Sequence, residues 1–341
     1  MTSTGEAEQT EGFRRAAWGL ETPALGISLG GAVPGERPGD RSSSRLRWVE
    51  LAEERGLHSA WLPEMHFERG VSPAPLLELA AWAPRTRRLR LGTTSLLLPL
   101  HPPDELAAEI AGLDQLSGGR ALIGLGRGFQ KRMLEAFRVP PAEKRDRFDE
   151  ALDRMLSLWE VGALRGDAFA TCQRPHPPLA VAAFGPKGLA QAARHGLPYL
   201  ASPVETLEQI AENQRRHRAD LRDPSVTPLS LVMRTIFVSD SPRELEMLRE
   251  RLTSELPGRR AGLPEAVNAA IDAPLEARAL VGTPDEVIAG LARDRARLGI
   301  DLLIVRPQLA GIERGVLERS FDWLGGTVWP AVTGDRHPGV A

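Results

Sequence analysis

A chain of 341 residues, 42% hydrophobic and 26% charged, has the make-up of a soluble globular enzyme and is long enough for one large α/β barrel. Its formal charge of −2 argues against a nucleic-acid partner or a membrane surface, and its positive charge is almost all arginine, with lysine only at 131, 144 and 187. Cys172 is the single cysteine, which excludes an internal disulfide and a cysteine metal cluster.

The polar, acidic Met1–Gln9 lacks the apolar centre of a signal peptide, and the apolar run Leu96–Leu100 is far too short to span a bilayer. The expected compartment is therefore the cytoplasm. Residues 1–22 and 331–341 read as loosely anchored tails, and 23–330 as one domain.

Within that domain, short apolar runs alternate with amphipathic ones, the pattern of a parallel sheet built from βα units. Leu25–Leu29 is predicted as a strand, followed by a Gly/Pro-rich loop from Gly30 to Asp40. Ser42, Ser43 and Ser44 offer caps for a helix bearing Leu46, Val49 and Leu51. Ser59–Leu62 is a second strand, ending in Pro63-Glu64-Met65-His66-Phe67. A helix over Leu76–Ala83 stops at Pro84, and Leu89–Leu98 is a long third strand.

Leu106, Ile110, Leu113 and Leu116 recur at helical spacing, which predicts a helix over Asp104–Leu116. A fourth strand, Ala121–Leu125, closes on Gly126-Arg127-Gly128, and Phe148, Leu152, Met155 and Trp159 share one helical face. Leu179–Ala183, Pro198–Ala201, Leu229–Val238 and Asp301–Val305 supply four more strands. Between them lie helices from Gly188, Leu207 and Pro242, a polar stretch from Glu255 to Pro274, and a helix capped by Thr283 with Pro284 at its first position. Eight strands with intervening helices fit a closed (β/α)₈ TIM barrel; a doubly wound open sheet is the alternative.

Several segments are similar to the bacterial-luciferase-like flavin oxidoreductases. They are Leu91-Gly92-Thr93-Thr94-Ser95-Leu96-Leu97-Leu98-Pro99, Leu113-Asp114-Gln115-Leu116-Ser117-Gly118-Gly119-Arg120 and Gly124-Leu125-Gly126-Arg127-Gly128-Phe129. Pro175–Ala183 and Val281–Val287 continue the likeness, which runs in order from about Leu25 to Val305. The resemblance implies a luciferase-like barrel and reduced FMN (FMNH2), or alternatively a deazaflavin coenzyme. Arg127 and Gly128 match the flavin-phosphate contact, where a guanidinium between two glycines suits a phosphate. Gly185, Lys187 and Gly188 match a second phosphate turn, in which backbone N–H groups and a helix start face an anion. Thr94 and Ser95 match the point where many members place a non-proline cis peptide beneath the flavin ring.

The acid–base features are thinner. Where luciferase α-type chains carry Glu-His-His-Phe, this chain has Glu64-Met65-His66-Phe67, so a methionine stands at the catalytic histidine's place. His101 is shifted by one position, and Ala108 stands where a glutamate is expected, with Glu109 adjacent. His66 and His101 are the remaining candidates for proton handling.

The resemblance implies a flavin-dependent monooxygenase that passes one oxygen atom from O2 to a small organic substrate through a peroxyflavin. It also implies a separate flavin reductase and a homodimer. The rival readings are hydride transfer with a deazaflavin and a non-catalytic barrel subunit of the luciferase β-type. A metal-dependent hydrolase is disfavoured because the seven histidines show no paired ligand spacing.

Overall fold

The computed structural model describes residues 15–30, 40–67, 72–165, 168–223, 225–255 and 265–334. Its strands are β1 (Ala24–Ser28), β2 (Ser59–Leu62), β3 (Arg90–Leu97), β4 (Ala121–Gly126), β5 (Leu179–Ala182), β6 (Tyr199–Ala201), β7 (Leu231–Val238), β8 (Ala279–Gly282) and β9 (Leu302–Val305). All pairings are parallel, in the order β6-β5-β4-β3-β2-β1-β9-β7, and β6 pairs with β7 to close the ring. The fold is thus the eight-stranded TIM barrel expected from the alternation of elements, and that closure rules out the open sheet.

β8 is a ninth strand that the sequence pattern hid. β7 pairs with β9 only through Leu231–Arg234, then runs on, and Thr235–Val238 is covered by Ala279–Gly282. A bare strand edge leaves its N–H and C=O groups unpaired, so a short strand there satisfies them. Two further expectations shift. The helix Asp40–Glu54 begins before Ser42–Ser44, so those serines lie within it rather than capping it. The polar stretch Glu255–Pro274 contains a helix, Glu265–Asp272, because Val267, Ala270 and Ile271 recur on one buried face.

The N-terminal tail is the larger correction. Trp18 is 0% exposed, and it closes the bottom of the barrel with Leu20, against an interior of Trp61, Leu122, Leu200, Leu231, Leu302 and Ile304. Burying such a side chain contributes on the order of 3 kcal/mol, enough to hold a short segment. Arg15 pairs with Asp301, and His58 Nε2 donates to the Trp18 carbonyl at 2.9 Å. Burial pushes the His58 imidazole down to about 4, so it is neutral there. At the other end, residues up to Gly334 are ordered: the helix Trp329–Thr333 accepts a bond from Arg295 at the Val332 carbonyl. The rest of the expected tails, 1–14 and 335–341, lies outside the described residues, as do 31–39 of the first loop and 256–264 of the polar stretch.

Among the described residues, no helix is long and apolar enough to cross a membrane. The helix capped by Thr283 is as expected, with Thr283 and Glu286 closing a reciprocal capping box. Because all strands are parallel, the residues that follow their C-terminal ends gather at one mouth. Those residues include Glu64, His101, Arg127, Gly185 and Arg306, and Ser95 lies near the end of β3.

Candidate active site

Glu64 follows β2 and is buried, and both candidate histidines converge on it. His66 Nε2 lies 2.6 Å from Oε1, and His101 Nε2 lies 3.0 and 2.9 Å from the two carboxylate oxygens. The Leu97 N–H donates to Oε2 at 2.7 Å. Burial opposes charge on Glu64, but the His101 bond and charge, then the Leu97 and His66 bonds, hold its carboxyl below the usual carboxylate range. Burial likewise opposes charge on His101, and Glu64 more than offsets it, with Glu109 adding to the field, so the imidazolium persists to higher pH than usual. The Nδ1 atom of each ring is the one turned away from Glu64.

Glu64 is thus a member of the candidate site that the histidines alone do not reveal in the sequence. The signal was present, since Glu64 stands at a strand end two residues before His66, but a carboxylate in a loop is unremarkable until the fold brings His101 to it. Met65 does not join the cluster's hydrogen bonds; its N–H donates to the Ser72 carbonyl at 2.8 Å. Phe67, exposed, stacks near His66, and Phe137 packs against the same imidazole with centroids 4.7 Å apart.

The peptide between Thr94 and Ser95 is cis, the geometry implied by the resemblance. The register of β3 against β4 slips at this point, from Thr94↔Gly124 to Leu96↔Leu125, leaving Ser95 as the extra residue. Ser95 lies over Gly126: a Cβ there would sit 2.2 Å from Ser95 Oγ. Ser28 and Thr94 hydroxyls meet at 3.4 Å. By the alternation that turns Ala24 and Ala180 inward, Ser28 and Ala182 also face the barrel axis, so small side chains stand at the mouth there.

Arg127 follows β4, and its guanidinium lies over Gly188. A Cβ at Gly188 would come within 2.1 Å of Nη2, so any larger residue there would push the guanidinium aside. This accounts for a glycine where hydroxyl-bearing residues are frequent in the resembling family. The Gly188 N–H is not free for an anion, because it donates to the Gly185 carbonyl at 2.9 Å and closes the first turn of the helix Pro186–Arg194.

The bond from Arg127 goes to a neutral amide, Nη1 to Gln191 Oε1 at 3.1 Å, while Gln191 Nε2 donates to Asp149 at 2.7 Å. Burial, reinforced by Arg145 and eased by Asp149, holds Arg127 below arginine's ordinary pKa. Lys187 is exposed; the lysine that enters this cluster is Lys144, whose Nζ donates to the Gly128 carbonyl at 3.2 Å. Burial, then the charges of Arg127 and Arg145, pulls Lys144 below its ordinary value as well. Three crowded cations beside a helix start form a site that an anion would relieve.

The family model for luciferase-like monooxygenases matches residues 26–302. The chain belongs to the luciferase-like monooxygenase family and is an enzyme of that family. Limonene 1,2-monooxygenase of Rhodococcus erythropolis is 28% identical over 86% of this chain and 82% of that one. The oxygenase component of the flavin-dependent trigonelline monooxygenase of Acinetobacter baylyi is 27% identical over 59% of this chain and 61% of that one. The match to the uncharacterized protein y4wF of Sinorhizobium fredii, at 38% identity, spans about half of each chain, 45% of this one and 48% of the other.

Among solved structures, the monooxygenase RslO1 of Streptomyces bottropensis superposes with a TM-score of 0.76 at 28% identity, covering 90% of this chain and 99% of that one. The FMN complex of the oxygenating constituent of 3,6-diketocamphane monooxygenase of Pseudomonas putida gives 0.74 at 19% identity, covering 91% of this chain and 99% of that one. An F420-dependent secondary alcohol dehydrogenase gives 0.68 at 18%, covering 91% and 99%. The last two likenesses speak to the fold.

Proposed function

We propose that this chain is the oxygenase of a two-component system, binding reduced FMN and using O2 to oxygenate a small organic substrate. The observation that carries the reading is the meeting of Arg127, seated on Gly188, with Lys144 and the start of the helix Pro186–Arg194 at one side of the mouth. In this reading Arg127, Gly128 and Lys144 hold the flavin phosphate, with Gly185 and Gly188 giving it room and Lys187 at the rim. Thr94 and Ser95 support the ring. The small residues at the mouth and the fit of Gly188 to Arg127 are what such a ligand requires.

When bound, reduced flavin supplies the electrons and the reaction with O2. The chain's own side chains handle protons. Glu64 holds His66 and His101 by their Nε2 atoms and favours charge on His101, so a proton is available at the mouth from an imidazolium whose Nδ1 faces away from the carboxylate. Phe67 and Phe137 pack their rings against His66 and cover part of its imidazole. A separate reductase delivers the flavin, a reading supported by the likeness to a protein named as an oxygenase component, and the chain assembles as a homodimer.

The test is titration with FMN, reduced FMN and a deazaflavin, followed by oxygen consumption with candidate substrates. Tightest binding of reduced FMN and substrate-dependent oxygen uptake are expected. Binding of the deazaflavin in preference to either form of FMN would overturn the assignment in favour of hydride transfer.

A further inference from the structure

The strand order places two cationic groups on opposite sides of the mouth. β4, which leads to Arg127, and β9, which leads to Arg306, stand four strands apart in either direction round the ring. Along β9, Leu302 and Ile304 face the barrel interior and Leu303 and Val305 face the helices. By that alternation Arg306 leaves the strand on the inner side. Its Nη1 and Nη2 close on Glu255 Oε1 and Oε2 at 3.1 and 2.6 Å, while Nε is sealed from solvent without a partner.

Arg278 reaches the same place along the edge of β7. Ala279 pairs with Thr235, one residue beyond the Arg234↔Val305 pair, so Arg278 stands level with the end of β9. It is 8% exposed, yet among the described residues it forms no hydrogen bond or ion pair. Burial, and then the charge of Arg306, pulls it below arginine's ordinary pKa, against Glu255 and Glu276. Two guanidiniums therefore share one close carboxylate. A different buried arginine, Arg234, faces Asp294 at 3.6 Å and has no exposure at all, so no ligand can reach it.

We propose that Arg278 and Arg306 form an anion subsite across the mouth from Arg127, and that the substrate held there carries a carboxylate. A planar carboxylate can take two parallel N–H bonds from a guanidinium fork and supplies the charge that Arg278 lacks. The assignment of substrate, though not of the anion subsite itself, rests on the flavin reading above. With the flavin phosphate at Arg127, a ring reaching toward the barrel axis would leave this opposite side for the molecule that is oxygenated.

The experiment uses sodium benzoate as the probe, benzamide as its neutral counterpart and inorganic phosphate as a third arm. Each is titrated calorimetrically into flavin-free and FMN-loaded protein. Benzoate should bind, benzamide should not, and phosphate should bind more weakly than benzoate in the loaded protein. Arg278→Gln should weaken benzoate by about tenfold or more while leaving FMN affinity within about twofold, and Arg278→Lys should fall between.

Should Arg278→Gln fail to fold, Arg278→Lys carries the comparison, since it keeps the charge and loses the fork. Equal binding of benzoate and benzamide, no binding of benzoate, preference for phosphate, or a benzoate affinity indifferent to Arg278 would each overturn the proposal. If FMN fails to bind but benzoate still depends on Arg278, the flavin reading falls and the anion subsite stands.

Discussion

Gly188→Ala tests the phosphate site through a single methyl group. The added carbon would lie 2.1 Å from Arg127 Nη2, 2.8 Å from Arg127 Cζ and 2.8 Å from Ala183 Cβ. Ala183 is buried at the end of β5, so the guanidinium has to retreat, by roughly 1 Å or more to reach ordinary contact. That breaks its 3.1 Å bond to Gln191. A hydrogen bond to a charged group is worth about 1.5–3 kcal/mol, and alanine in a helix returns about 1 kcal/mol over glycine. Stability should therefore change little, falling by about 1–2 kcal/mol at most.

Affinity for FMN should fall further, by about tenfold to a hundredfold, because the donor aimed at the phosphate is displaced. The assay is quenching of flavin fluorescence on titration, with the melting temperature measured on the same samples. Gly112→Ala, in the helix Pro103–Ser117 with nothing within 4 Å of the new methyl, isolates the helix-propensity gain and should leave FMN binding alone. A folded Gly188→Ala protein with parental FMN affinity would refute the placement of the phosphate at Arg127.

Three further outcomes are expected. Arg127→Ala should weaken FMN binding by about 1.5–3 kcal/mol and Arg127→Lys by less, so equal dissociation constants for Arg127→Ala and the parent would count against the contact. In Glu64→Gln the His101 pKa, read by NMR, should drop from above the free imidazole value to below it, because burial then acts without the carboxylate; turnover should fall with it, and an unmoved titration would show that Glu64 does not hold the charge. Glu205 is buried at the end of β6 with Tyr199, Asn213 and the Ser202 N–H on its carboxyl, and burial pushes it up to about 7. A carboxyl raised in this way costs the fold nothing below its unfolded value of 4.5 and costs about 3 kcal/mol above 7, so the melting temperature of the parent relative to Glu205→Gln should decline between pH 5 and 8. A difference flat with pH would contradict the raised value.

Much of this protein was legible in its sequence because the signals are local. Apolar runs between helical faces announce a parallel α/β barrel, and Gly126-Arg127-Gly128 at a strand end places an arginine at the mouth without any tertiary knowledge. Thr283-Pro284 with Glu286 declares its helix start for the same reason, since cap and acceptor lie within one turn. What the sequence could not decide depends on residues brought together from afar. Trp18 looks like part of a polar tail until the barrel offers it a floor, and Ala279–Gly282 becomes a strand only because β7 outruns β9. Glu64 joins the site because β2 and β3 pair side by side in parallel, which carries His101 to a carboxylate 37 positions earlier. Lys144, rather than Lys187, stands beside Arg127 because the start of its helix meets the turn after β4, while Lys187 is exposed. Pairings of this kind are set by register and closure, which no window of neighbouring residues contains.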